Sequence, residues 1–394
     1  SISGSQVSLA AVSTGTSSGT GNTLSVTSTT GSTAFSGAVL GGTVTINSAT
    51  TLTANSTVTG LTGSISLTST GNMTLLGDVI ISATSGLAAS SITASAGTGI
   101  LDARGGILTN GGAVDLSGGS FVNTNAKTIR AATASATSGA TGVLTMNFAT
   151  SIRLDGATIA GAMNLTAGTT FTTVGTGDTL SAYLGGITIN APGGISTGDR
   201  VEMNTRQASQ ASSSFSAGTS AITLRPTVST TSAVRTYGGG LTLTGGTLTT
   251  NGPVSLFESA TRMGALTINH SGLITINQSL NARSYSVTGG GNMTFAATAA
   301  ARMTLQVNVN NPQVVFSQTG GGNLTVPASN GGFIINAYSS GTIVSNTTTD
   351  YPILTTTGTF TYAGTAPTKT GLTTKVTIIS VQTANKRVIV RVSP

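Results

Sequence analysis

The chain contains no cysteine, no tryptophan and a single histidine, and only 6% of its 394 residues are charged. Each shortage excludes something. Without cysteine there is no disulfide framework and no thiolate metal site. With charge so far below the ~25% of an ordinary soluble domain, ionic groups cannot be the main source of solubility. The surface must consist of hydroxyls and amides, or be covered by another body such as further copies of the chain. Residues 1–77 carry no Asp, Glu, Lys, Arg or His, and a second neutral run separates Arg302 from Asp350. No run of about 18 apolar residues occurs, so no transmembrane helix is expected. The chain opens on Ser1, with no basic stretch leading into an apolar one. It therefore reads as a product whose export signal has been removed.

What is abundant is Gly, Ser, Thr, Ala and Asn, interleaved with Val, Ile and Leu. β-branched residues in alternation argue against wholesale disorder. Flexibility is most expected near residues 13–22, STGTSSGTGN. A short motif recurs: a small residue, any residue, then apolar, Thr/Ser/Asn, apolar. It appears at residues 42–46 (GTVTI), 63–67 (GSISL), 71–75 (GNMTL), 112–116 (GAVDL), 142–146 (GVLTM), 161–165 (GAMNL) and 185–189 (GGITI). It continues at 220–224 (SAITL), 239–243 (GGLTL), 291–295 (GNMTF) and 322–326 (GNLTV). Each copy has period two, apolar residues inward and hydroxyls outward. No segment holds a 3.6-residue period with caps; the Ala-rich stretch 296–303 is too short for a helix.

Spacing selects among β architectures. First apolar positions lie 21 residues apart from Val44 to Ile65, 19 from Leu144 to Met163, and 20 from Val254 to Ile274. A step of 8 is nested inside, from Ile65 to Met73 and from Leu266 to Ile274. Neighbouring faces 8 apart and the same face returning near 20 describe a coil. The expected fold is all-β, an elongated parallel β-solenoid of right-handed type with about 19–25 residues per coil. Residues 264–271 (GALTINHS) and 272–279 (GLITINQS) are nearly one octapeptide written twice. They read as neighbouring faces of one coil; the competing account is a hairpin with residues 266–268 antiparallel to 274–276. Three regions are expected: a strand-rich, assembly-mediating segment 1–40, solenoid repeats 41–345, and capping strands 346–394.

Residues 239–257 (GGLTLTGGTLTTNGPVSLF), 264–283 (GALTINHSGLITINQSLNAR) and 287–298 (VTGGGNMTFAAT) resemble the repeats of filamentous haemagglutinin-like exoproteins and autotransporter passengers. Residues 351–365 (YPILTTTGTFTYAGT) and 375–391 (KVTIISVQTANKRVIVR) resemble the closing segment of such passengers. The resemblance covers about two thirds of the chain and carries no catalytic motif. It implies export across the outer membrane and a place at the bacterial cell surface as adhesin, fibre or matrix component. The chain departs from that pattern in showing neither a membrane barrel after the passenger-like end nor a secretion domain before the repeats.

Candidate chemistry is sparse. The acids are Asp78, Asp102, Asp115, Asp155, Asp178, Asp199, Glu202, Glu258 and Asp350. A polysaccharide-cleaving β-helix needs clustered carboxylates on one face. The densest group, residues 198–206 (GDRVEMNTR), puts Asp199 and Glu202 on opposite faces of an extended strand. Asp102 with Arg104, and Arg153 with Asp155, are placed to form ion pairs along a strand face. His270 lacks partner ligands and reads as a polar corner residue. Residues 175–178 (GTGD) echo a calcium nonapeptide once, and the Gly-x-Gly strings open no helix. No catalytic, cofactor-binding or metal-binding residue is therefore assigned. The net charge of +7 concentrates at Lys369, Lys375, Lys386, Arg387 and Arg391, read as a basic end or junction, with no nucleic-acid partner expected. The function expected is a non-enzymatic extracellular structural or adhesive protein that associates with itself and meets host cells, neighbouring cells or glycans. The alternative is a carbohydrate-binding or carbohydrate-cleaving β-helix.

Overall fold

The computed structural model describes residues 1–14, 22–82, 90–132, 142–174, 179–198, 200–203, 211–225, 227–259, 262–340 and 348–393. The chain divides into two compact units, residues 1–192 and 193–394. Each is a parallel β-solenoid built from short strands that fall into three sheets. Among the described residues the only helical element is the turn Thr373–Lys375.

In the first unit one complete coil reads Val44–Ser48, Leu52–Ala54, Val58–Gly60, one strand in each sheet. The next coil lies on it in register, with Val44 beside Ile65, Leu52 beside Met73 and Val58 beside Val79. Stacking like on like follows from the sequence repeat. Residues at alternate positions turn inward and form continuous apolar stripes. Val44, Ile65, Ile92, Val114, Leu144 and Met163 follow one another down the first sheet, all at most 1% exposed. Each such side chain contributes roughly 1.5–3 kcal/mol of burial. Phe121 and Phe148 add a ring pair with centroids 5.4 Å apart.

The recurring motif marks strands of the first and second sheets. Several strands of the third sheet follow a different pattern, apolar-x-small, as in Val39–Gly41, Val58–Gly60 and Ile129–Ala131. In these strands the last inward position is small where the coil turns sharply back toward the first sheet. A Cβ on Gly60 would stand 2.8 Å from the Gly63 carbonyl oxygen and 3.0 Å from the Ile65 side chain.

Buried hydroxyls close the corner between the first and second sheets. Ser28, Ser48 and Ser69 each end a first-sheet strand pointing inward, at most 5% exposed. Ser48 Oγ donates to the Thr51 carbonyl and Ser69 Oγ to that of Gly71, both at 2.7 Å, and Ser28 does the same to Gly31. These bonds satisfy the buried hydroxyls at the turn, the Thr51 carbonyl also accepting the Thr33 N–H at 2.9 Å.

The second unit repeats the plan. The doubled octapeptide falls in Ala265–His270 of the first sheet and Ile274–Ile276 of the second. Both strands pair parallel with the coils before and after, so the two copies are neighbouring faces of one coil and the hairpin account is excluded. Coil length varies more than the spacing predicts. The register advances 19 residues from Leu266 to Tyr285, but 31 from Tyr285 to Phe316 and 38 from Phe316 to Leu354. Corners can take up extra residues without disturbing the ladders. The parallel order changes at the end of the unit. There Arg387–Val392 lies antiparallel between Thr349–Thr356 and Val376–Gln382.

Candidate functional site

Outward positions are set by the same alternation that fills the core. In the second unit one column of the second sheet runs Ser196, Thr223, Thr249, Thr275, Thr294, Thr325, Thr361, each paired in register with the next. A hydroxyl thus recurs about every 4.8 Å along the stack, joined by a methyl from Thr223 onward. In the first unit the corresponding column is mixed: Thr74, Asp102, Val122, Arg153, Thr172. Two polar columns also line its first sheet, one of them carrying a single acid. One runs Thr45, Ser66, Thr93, Asp115, Thr145, Asn164, Thr188; the other runs Asn47, Thr68, Ser95, Ser117, Asn147, Thr166, Asn190.

The described acids do not gather. Asp102 is flanked in its column by Thr74 and Val122, Asp115 by Thr93 and Thr145, and Glu202 by Arg235. Asp102 pairs with Arg104 at 2.9 Å, Glu202 with Arg200 at 3.2 Å and Glu258 with Arg262 at 2.8 Å. Arg153 and Asp155, expected to pair, share a face with no ion pair between them. Asp78 Oδ1 instead accepts the Gly106 N–H at 2.7 Å, tying a corner to the next coil. Among the described residues no three His, Asp or Glu side chains stand together as metal ligands. Asp178, Asp199 and the whole stretch 204–210 lie outside the described residues.

The basic cluster serves its own end of the chain. Lys369 Nζ donates to the Thr373 and Val376 carbonyls, Lys386 Nζ to that of Thr357, and Arg387 Nε to Gln382 Oε1. Arg391 grips Asp350 through two bonds of 2.6 and 3.0 Å, which holds that carboxyl below its usual range.

His270 is a corner residue, but the corner faces inward. It occupies the third inward position of its strand, the place held by Ser48 and Ser69 in the first unit, and is 0% exposed. Gly245 lies beneath it in the ladder, where a Cβ would come within 2.9 Å of the ring. Among the described residues neither ring nitrogen has a partner in good hydrogen-bond geometry, although the Gly246 backbone lies close enough to act on the ring. Burial lowers its pKa from 6.5 to about 4, with the Gly246 backbone opposing only in part. A buried polar ring was not legible in the sequence, because strand length decides which way residue 270 faces.

One concave feature stands out in the second unit, a cleft of about 290 Å³ where three coils pass from the third sheet to the first. Arg283 and Ser284 come from one coil, Gln306, Asn308, Asn311, Gln313, Val314 and Val315 from the next, and Tyr338 from the third. Its wall is the long connection after Arg302–Asn308, residues 309–315. Asn308 Oδ1 accepts the Asn310 N–H at 3.1 Å, Asn308 Nδ2 reaches Ser340 Oγ at 2.8 Å, and Asn310 Nδ2 reaches Ser339 Oγ at 3.1 Å. Behind the cleft Gln306 is locked in an amide ladder, donating to Asn281 Oδ1 at 2.7 Å and accepting from Asn336 Nδ2 at 2.6 Å. Burial holds the Tyr338 phenol above its usual pKa, and the Arg283 charge opposes that shift. Sequence reading missed this cleft. Its residues are scattered over 56 positions, and the one local signal was the break in alternation at residues 310–313 (NNPQ).

Comparison with protein-family models, curated proteins and solved structures finds no match for this chain.

Proposed function

We propose that the chain is a non-enzymatic structural or adhesive protein, an exported β-solenoid of filamentous haemagglutinin type that builds or decorates a cell-surface fibre and associates with itself. The observation that carries this reading is the unbroken hydroxyl column from Ser196 to Thr361. A rigid wall with this chemistry offers no charge repulsion to a second copy, and low surface charge favours association. It repeats its donors and acceptors at the spacing of the ladder itself, so an opposing repetitive surface can meet many of them at once. The described acids, dispersed along the columns, suit a wall better than a hydrolytic groove.

Self-association is assigned to strand addition at residues 1–40. The strands Ile2–Gly4, Val7–Leu9 and Val12–Ser13 pair with one neighbouring coil each among the described residues. A strand paired on one side templates another. In a solenoid each coil leans mainly on its neighbours, so loss of terminal coils leaves the rest folded. Negative-stain imaging of the purified chain, with and without residues 1–40, tests the assignment. Filaments from the full chain and isolated particles from the truncated one are expected. Normal filaments from the truncated chain would exclude strand addition at this end, and isolated particles from both would exclude self-assembly.

A further inference from the structure

We propose that the corner cleft of the second unit binds one acidic sugar residue, a hexuronate or its like, through Arg283. This goes beyond the assembly reading and stands or falls separately from it.

The argument starts from unused capacity. The side chains of Arg283, Asn311, Gln313 and Tyr338 line the cleft and make no hydrogen bond or ion pair with any described residue. Arg283, Asn311 and Gln313 are exposed and Tyr338 is half-buried. Lys369, Arg387 and Arg391 engage a carbonyl, an amide and a carboxylate at their own corners, whereas the Arg283 guanidinium lines the cleft with no such partner among the described residues. No acid lines the cleft, so its field is positive and favours an anion. Arginine's planar fork matches a carboxylate bidentately.

The rest of the lining selects what carries the anion. Asn311 and Gln313 each offer amide donors and an acceptor, which suit hydroxyls that both donate and accept. Val314, 42% exposed, and the Tyr338 ring give an apolar surface for the C–H face of a sugar. A volume of about 290 Å³ corresponds to about ten waters at ~30 Å³ each, room for a single ring. A phosphate ligand would call for several cations or a nest of backbone N–H groups, and the cleft has one cation. The side chains that shape the site are themselves held: Gln306 at both ends of its amide, and Asn308 through Ser340. The back of the cleft is therefore held before the ligand arrives, and the ordering cost of binding falls on Arg283, Asn311 and Gln313.

The test is a titration of the full chain with methyl glucuronide and methyl galacturonide, followed by NMR shift changes and by saturation transfer from the protein to the sugar ring. Methyl glucoside, sodium acetate and sodium sulfate serve as comparison ligands. Uronide binding is expected at least tenfold tighter than methyl glucoside or acetate, and weaker as salt rises. Arg283→Gln is expected to remove the preference for the acid, and Tyr338→Ala to weaken all sugars several-fold. Uronide and glucoside binding alike, or acetate or sulfate binding as well as the uronide, would overturn the proposal. So would an unchanged preference in Arg283→Gln. Should that variant fail to fold, the wild type decides: no saturation transfer to the uronide ring, or transfer that Gln313→Ala and Tyr338→Ala leave unchanged, sinks the site. Filament formation by Arg283→Gln is expected to be normal, which separates failure here from failure of the assembly reading.

Discussion

The two copies of the octapeptide share an apolar-Thr-Ile-Asn text yet do not share a structure. In residues 264–271 the strand runs six residues, Ala265–His270, so Leu266, Ile268 and His270 all face inward and Asn269 faces solvent. In residues 272–279 it stops after three, Ile274–Ile276, and Asn277 turns into the corner to donate to Asn251 Oδ1 at 2.7 Å. The coil beneath makes the difference. The first copy lies on the five-residue strand Leu241–Gly245, whose glycine leaves space for the ring of His270; the second lies on Leu248–Thr250. A strand is as long as its ladder partner allows, so neighbours far apart in sequence decide where identical text turns.

The largest test of this contrast compares faces. Ile276→Asp puts a charge at a 0% exposed position and should cost more than about 4 kcal/mol, whereas Thr275→Asp, one residue away and outward, should cost well under about 1 kcal/mol. Urea unfolding followed by circular dichroism measures both; equal losses would mean the inward and outward assignment is wrong.

Acidification probes the two polar ends, His270 and Gln278. His270 has a folded pKa of about 4 against an ordinary 6.5, so below pH 6.5 the unfolded chain binds a proton that the folded one refuses. Its stability is complete above 6.5 and declines as pH falls toward 4, by up to about 3 kcal/mol. His270→Gln, which writes the second copy's residue into the first, should flatten this dependence in a series of melts between pH 7 and 4.

Gly245→Ala should cost about 1–3 kcal/mol by overpacking, since the new Cβ meets both the His270 ring and the Ser220 carbonyl oxygen at 2.9 Å. Adding His270→Ala should relieve only the ring's share, and a double-mutant cycle reads the coupling. The smallest contrast is between the asparagines. Asn277→Ala loses a ladder bond worth about 1 kcal/mol, while Asn269→Ala, exposed, should change stability by less than about 0.5 kcal/mol.

Much of the fold was legible beforehand. The motif's alternation located the first and second sheets, because inward Val, Ile and Leu must recur wherever a parallel stack repeats. The third sheet was harder to see, since several of its strands, such as Val58–Gly60, end on a small residue and carry a single large apolar side chain. Asp102 and Arg104 were correctly matched from two-residue spacing, but Arg153 and Asp155 have the same spacing and no bond. Spacing sets the face and leaves side-chain rotamers free. The cleft was invisible for a different reason: Arg283, Gln313 and Tyr338 meet only because successive coils bring the same corner back.

The sequence by itself determined the class of structure, through composition and a two-residue alternation nested in a period near 20. It also determined a wall poor in charge. Only the tertiary structure decided where each strand ends, whether residue 270 faces solvent or core, and which corners gather into a cleft. Alternation is local and written in the chain, whereas register, turning point and concavity depend on the coil lying next to each residue, 19 to 38 positions away.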